Sequence, residues 1–194
     1  IEMAKANGIH LLEPAQRNPL LTTTLGTGQM IRHALEAGVS KIILALGGSV
    51  TNDAGSGMAQ ALGIRFLDAQ GREVSVGGGH LQDIEQIDMQ ALDSHLQRVQ
   101  VLIASDVTNP LCGMQGASYV FGPQKGASAE MVEQLDQNLS HFADVVETQL
   151  NLQVRNIAGA GAAGGLGFGL MAFTGAKLQS GATWVIEQTQ LAEK

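Results

Sequence analysis

A chain of 194 residues with 44% hydrophobic and 15% charged residues can enclose one substantial core, and its ordinary globular balance argues against an intrinsically disordered segment. Its formal net charge of −7, uninterrupted by any basic cluster, opposes association with phosphate backbones or anionic lipid and so argues against nucleic-acid and membrane partners. The 25 glycines are nearly twice the usual share of about 7%, which points to tight turns or to backbone that closes on something.

In chain order, Ile1 to Gly8 reads as a strand end entering a turn, and Pro14 to Pro19 as a polar loop. Thr22-Thr23-Thr24-Leu25-Gly26-Thr27-Gly28 leads into a helix whose apolar stripe is Met30, Ile31, Ala34 and Leu35, stopped by Gly38. Lys41 to Leu46 is a continuous apolar run bounded by glycine, the pattern of a strand buried on both faces. A turn at Gly47-Gly48 precedes a helix from Asp53 to Leu62, with Met58, Ala61 and Leu62 inward. Ile64 to Leu67 and Arg72 to Val76 flank Asp68-Ala69-Gln70-Gly71 as a hairpin, and Gly77-Gly78-Gly79 is a flexible loop. Val99 to Ser105 predicts a second buried strand ending at Asp106. Between Asn109 and Gly126 the chain is loop-rich, with a short strand over Ser118 to Phe121. Ser128 caps the longest helix, Ala129 to Leu150, whose Met131, Leu135, Leu139, Phe142, Val146 and Leu150 recur at helical spacing. A Gly-rich segment, Asn156 to Gly175, is helical in its second half, and a last strand runs over 182–186. Strands alternating with helices give the α/β class, a mixed sheet with helices packed on it, and residues 1–194 read as a single domain.

Four segments can carry chemistry. In Gly47-Gly48-Ser49-Val50-Thr51-Asn52-Asp53, a glycine turn beyond a buried strand brings unpaired N–H groups, hydroxyls, an amide and a carboxylate together. That composition suits an anion beside a metal or base; the rival reading is a tight turn with Asn52 or Asp53 as a helix cap. In Asp106-Val107-Thr108-Asn109-Pro110, a carboxylate at a strand end can ligate a metal or contact substrate, or else form an Asx-turn. Lys125, between Gly122-Pro123-Gln124 and Gly126, is either a phosphate partner on a mobile loop or a solvated loop lysine. Gly159-Ala160-Gly161-Ala162-Ala163-Gly164 matches the Gly-X-Gly-X-X-Gly of dinucleotide-binding turns. No convincing strand precedes it, however, and Glu187 lies too far along to be the ribose-binding acid, so tight packing is favoured over ligand approach.

Other features carry less. The lone Cys112 cannot form an internal disulfide and reads as a small buried thiol in a reducing, cytoplasmic setting. The five histidines are scattered without metal-ligand spacing. The first residues are not an initiator sequence, and no signal peptide is visible. The uncharged stretch from Ala158 to Ala176 is long enough on paper to span a bilayer but too rich in glycine to gain from lipid burial.

Taken together, Gly-Gly-Ser-Val-Thr-Asn-Asp at 47–53, Ala-Ser-Asp-Val-Thr-Asn-Pro-Leu at 104–111, Phe-Gly-Pro-Gln-Lys-Gly-Ala at 121–127 and Gly-Ala-Gly-Ala-Ala-Gly-Gly at 159–165 resemble the bacterial glycerate kinase family that makes 2-phosphoglycerate. The resemblance covers about the middle half of the family's length. It implies the second, inserted α/β domain of that family, with the flavodoxin-like first domain largely absent and supplied by the flanking part of the polypeptide. Ala54 stands where the family usually has Gly, and Gln29 where Glu is common. The implied reaction is phosphoryl transfer from ATP to the 2-hydroxyl of D-glycerate with Mg²⁺, which needs positioning and charge neutralisation above all. Within that reading Asp53 and Asp106 are the candidate Mg²⁺ ligands or hydroxyl-orienting base, and Lys125 offsets charge on the transferred group. Ser49, Thr51 and Asn52, with Gly47, Gly48, Asn109, Gly159 and Gly161, hold the glycerate carboxylate or a phosphate. The alternative is a non-catalytic hydroxy-acid-binding module, and a weaker one an NAD(P)-dependent enzyme resting on the glycines of 159–164.

Overall fold

The structure, a computed structural model, describes residues 1–181, so the strand expected over 182–186 lies outside the described residues. Three parallel strands form the main sheet: β1 (Lys41–Ala45), β4 (Gln100–Ala104) and β5 (Lys177–Gln179), in the order β1-β4-β5. Lys41 pairs with Gln100 and Ala45 with Ala104, so β1 and β4 end level and the segments after them leave from one edge. Residues 1–3 lie against the outer side of β1, where Met3 N donates to Ala45 O and Ala45 N to Ile1 O. They then enter the short helix α1 (Ala4–Asn7). A second, two-stranded antiparallel sheet pairs β2 (Arg65–Leu67) with β3 (Gln86–Asp88).

The helices are α2 (Leu25–Glu36), α3 (Ser56–Ala61), α4 (Ala117–Phe121), α5 (Ala129–Leu150) and α6 (Ala162–Thr174). Ile31 and Leu35 of α2, Met58 of α3 and Leu166 and Leu170 of α6 close on Ile42, Leu44 and Ile103 of the parallel sheet. A second cluster joins Leu139, Phe142 and Val146 of α5 to Phe66 of β2 and to Phe168 and Phe173 of α6. There Phe66 and Phe142 meet edge to face at 5.3 Å. Helix α6 therefore serves both cores, which explains a segment apolar on every side. Ala163, Gly164 and Gly165 are left-handed (φ 53°, 68° and 87°) and kink its first turn, whereas Gly167 and Gly169 are there for packing. A Cβ on Gly169 would lie 2.5 Å from Ala54 O, and one on Gly167 2.2 Å from Gly159 O.

Several expectations change. Strand β1 alternates, with Ile43 half-buried and Ala45 exposed, so it is covered fully on one face only. Segment 118–121 is helix, not strand: Gly122 N closes a turn onto Ser118 O, and Ala117 and Ser118 are buried. This packing overrides the β-preference of Tyr119, Val120 and Phe121. The turn at 68–71 forms, but only Leu67 bridges to Glu73, and the ladder partner of β2 is β3. Helix α3 starts at Ser56 because Ala54 (φ 52°) and Gly55 (φ 75°) are left-handed and cannot belong to a right-handed helix. Gly78 is packed, with its carbonyl accepting from Asn138 Nδ2 at 2.9 Å. The cap at Ser128, accepting from Met131 N, and the extent of α5 stand as expected.

Candidate active site

Beyond the end of β1 the chain turns at Gly48 (φ 71°) and then sinks into the protein. Ser49, Thr51, Asn52 and Asp53 are all buried. On one side this segment is pinned by Val50 N donating to Asn7 O, Ile9 N to Gly48 O and Thr22 Oγ1 to Val50 O. On the other it lies under the glycine run of α6, where Ala54 N donates to Gly164 O. A Cβ on Gly164 would lie 1.9 Å from Thr51 O, so at this position glycine is needed for the close approach of the two backbones.

Asp53 is wholly enclosed. Its carboxylate accepts from Thr24 N (2.8 Å), Thr24 Oγ1 (2.9 Å), Gly55 N (3.2 Å), Thr23 Oγ1 (3.3 Å) and Gly57 N (3.4 Å). Burial pushes its pKa up, while the bonds from Thr24, Gly55 and Gly57 pull it down. Thr24 Oγ1 also accepts from Met58 N, so one aspartate ties the start of α2 to α3. Gly57 leaves room for this: a Cβ there would lie 2.1 Å from Thr23 Oγ1. The sequence reading missed Thr23 and Thr24 as partners because nothing local links residues some thirty positions apart.

Lys125 is 1% exposed, and its ammonium donates to Thr51 O at 2.7 Å. Burial pushes its pKa down to about 7, opposed by the charge of Asp53. It is a buried cation, not a solvated loop residue. It lines a cavity of about 160 Å³ together with Ile9, Leu46, Gly47, Gly48, Ser49 and Phe121. Asn52 Nδ2 donates to Ser118 Oγ, whereas Asn52 Oδ1 and Thr51 Oγ1 are buried without a partner among the described residues. Ser118 is a second residue that the sequence reading did not single out.

Asp106 lies at the same sheet edge but on the surface, its Oδ1 accepting from Ser180 Oγ at 2.8 Å. Asp106 and Asp53 are thus on one edge, as parallel strands require, but one is exposed and the other enclosed. Asn109 supports its own loop, donating from Nδ2 to Gln115 O and accepting at its carbonyl from Gly161 N. Gly161 and Gly159 lie against backbone oxygens of Pro110 and Val107. Among the described residues no three His, Cys, Asp or Glu side chains gather to hold a metal by themselves. Cys112 is inert at neutral pH, since burial and the nearby Asp136 push its thiol up to about 12.

The profile of the glycerate kinase family matches residues 1–194. The chain belongs to the glycerate kinase family. Over its full length it is 52% identical to a glycerate kinase of Haemophilus influenzae and 51% identical to the glycerate 2-kinase of Escherichia coli, covering 51% of each. The crystal structure of a protein described as a putative glycerate kinase 2 from Salmonella typhimurium superposes with a TM-score of 0.93 at 52% identity, over 96% of this chain and 50% of that one. The chain thus spans about half the length of the relatives it matches.

Proposed function

We propose that the full-length protein carrying this chain is a glycerate kinase that transfers the γ-phosphoryl group of ATP to the 2-hydroxyl of D-glycerate in the cytoplasm. The site at the carboxyl edge of the parallel sheet belongs to its acceptor side. The observation that carries this reading is the enclosed Lys125, which lines one cavity with the Gly47–Ser49 turn at that edge. A family member devoted to phosphoryl transfer needs positive charge where anionic groups converge, and an anion beside the enclosed amine favours its charged form.

The two aspartates take different parts. The Asp53 carboxylate is filled by five donors and shut from solvent, which suits positioning of the 49–55 segment and not metal ligation. Asp106 is exposed, with one oxygen engaged by Ser180. Mg²⁺ keeps most of its water and phosphate ligands and asks one or two carboxylates of a protein, and Asp106 fits that demand. When bound, Mg²⁺ would neutralise charge on the nucleotide phosphates. Groups facing the nucleotide come from the rest of the polypeptide, and residues 1–194 act as one domain.

Asp106→Asn tests this assignment. It should lower kcat/KM for D-glycerate phosphorylation by about a hundredfold or more, the loss of a key electrostatic contact, and leave the melting temperature unchanged. Wild-type kinetics in that variant would remove Asp106 from the site. A non-catalytic hydroxy-acid-binding module would instead bind D-glycerate without ATP turnover in the full-length protein.

A further inference from the structure

Helix α2 opens without the side-chain cap that its own sequence offers. Thr24 holds the N-cap position, where a hydroxyl ordinarily accepts from the N–H two or three residues on, yet its side chain makes no such bond. That hydroxyl is engaged elsewhere: it donates to Asp53 Oδ2 at 2.9 Å and accepts from Met58 N at 2.9 Å. The cap comes from another element. Asn7, the last residue of α1, sets its Oδ1 3.1 Å from Thr27 N, the N–H that a local cap would have taken, and Oδ1 accepts from Thr27 Oγ1 as well. Asn7 Nδ2 donates to Thr23 O. Asn7 and Thr27 are both buried, where an amide is costly unless it is hydrogen-bonded.

The backbone of the same residue reaches the turn after β1. Asn7 O accepts from Val50 N at 2.9 Å, Ile9 N donates to Gly48 O at 2.8 Å, and Gly8 pairs antiparallel with Ser49. Asn7 therefore joins the 48–50 turn to the Thr23–Thr27 segment, and Thr23 and Thr24 in turn hold Asp53.

We propose that Asn7 is a positioning residue of the acceptor side: by capping α2 in place of Thr24 it leaves the Thr24 hydroxyl to Asp53, and so sets the 48–53 segment against α2. Without the Asn7 amide, Thr27 N is a buried donor that has lost its acceptor. The hydroxyl that the chain itself places for it is that of Thr24. Turning this hydroxyl toward Thr27 N withdraws it from Asp53 and Met58 N, so a change at residue 7 is felt at residue 53. The consequence for phosphorylation rests on the kinase reading; the anchor itself does not.

The test is a double-mutant cycle in the full-length protein, Asn7→Ala and Thr24→Val singly and together, read by D-glycerate phosphorylation kinetics and by amide hydrogen exchange. Asn7→Ala should lower kcat/KM for D-glycerate by about tenfold or more, the loss of a cap and its buried bonds. The loss should lie chiefly in KM for D-glycerate, with KM for ATP unchanged, and should shrink in the Thr24→Val background. A merely structural role would lower kcat alone, through the folded fraction, and would add to the effect of Thr24→Val; that result overturns the inference. Without substrate, exchange at Thr24 N should quicken by about tenfold or more in Asn7→Ala while the β1 and β4 amides keep their rates. Unchanged exchange at Thr24 overturns the inference as well. Faster exchange there in a protein that phosphorylates no D-glycerate keeps the anchor and rejects the kinase reading. Should Asn7→Ala not fold, Asn7→Asp takes its place in the cycle: it keeps an acceptor for Thr27 N, removes the donor to Thr23 O, and should show the same non-additivity and the same exchange at Thr24.

Discussion

Lys125 illustrates how an enclosed amine couples stability to pH. Enclosed beneath the 51–53 segment, its amine is desolvated and, among the described residues, held by Thr51 O and the field of Asp53. Its folded pKa, about 7, is below the ordinary value of a lysine. Between those two pH values the unfolded chain binds more protons than the folded one, so stability rises with pH through that window. Below about pH 7 the full cost of the buried charge is present, on the order of a few kcal/mol. Lys125→Met, which keeps the stem and deletes the charge, should therefore raise the melting temperature at pH 6 by several degrees and by clearly less at pH 9. Under the kinase reading proposed above, the same variant should also lose D-glycerate phosphorylation, a trade of function for stability. Differential scanning calorimetry at the two pH values checks this, and an equal shift at both would mean that the lysine is not desolvated in solution.

Among the elements, α6 makes the sharpest claim. Replacing glycine by alanine inside a helix ordinarily stabilises it by about 1 kcal/mol. At Gly169 the new methyl would lie 2.5 Å from Ala54 O and 3.0 Å from Gly55 Cα, in the segment that carries Asp53. Gly169→Ala should thus destabilise by about 1–3 kcal/mol, as overpacking does, and chemical denaturation reads the sign directly. This is also where the sequence was most and least informative. Helix α5 was legible from its cap at Ser128 to Leu150, because a periodic stripe and a capping hydroxyl are local signals. The 118–121 helix was not, since its aromatic and β-branched side chains favour a strand until packing decides otherwise. Strand β2 was recognised but assigned the wrong partner, because pairing with Gln86–Asp88 is non-local. For the site, the glycine turn, the aspartates and Lys125 were all visible as residues. The burial of Lys125 and the Thr23–Thr24 anchor of Asp53 depend on contacts between distant segments and left no mark in composition or spacing.

Across the whole molecule, the net charge of −7 opposes the approach of an anionic substrate. The enclosed Lys125 amine acts locally, where little solvent screens it from a neighbouring charge. Parallel pairing of β1 with β4 at equal register delivers the 47–53 segment and Asp106 to one edge, and the α6 glycines let the 51–55 backbone sit close enough to be fixed there. The most direct test is to incubate the full-length protein with ATP, Mg²⁺ and D-glycerate and to locate the phosphate in the product by ³¹P NMR. The account predicts ADP formed in step with 2-phosphoglycerate. Absence of D-glycerate-dependent ADP, or a phosphate on another hydroxyl, would contradict it.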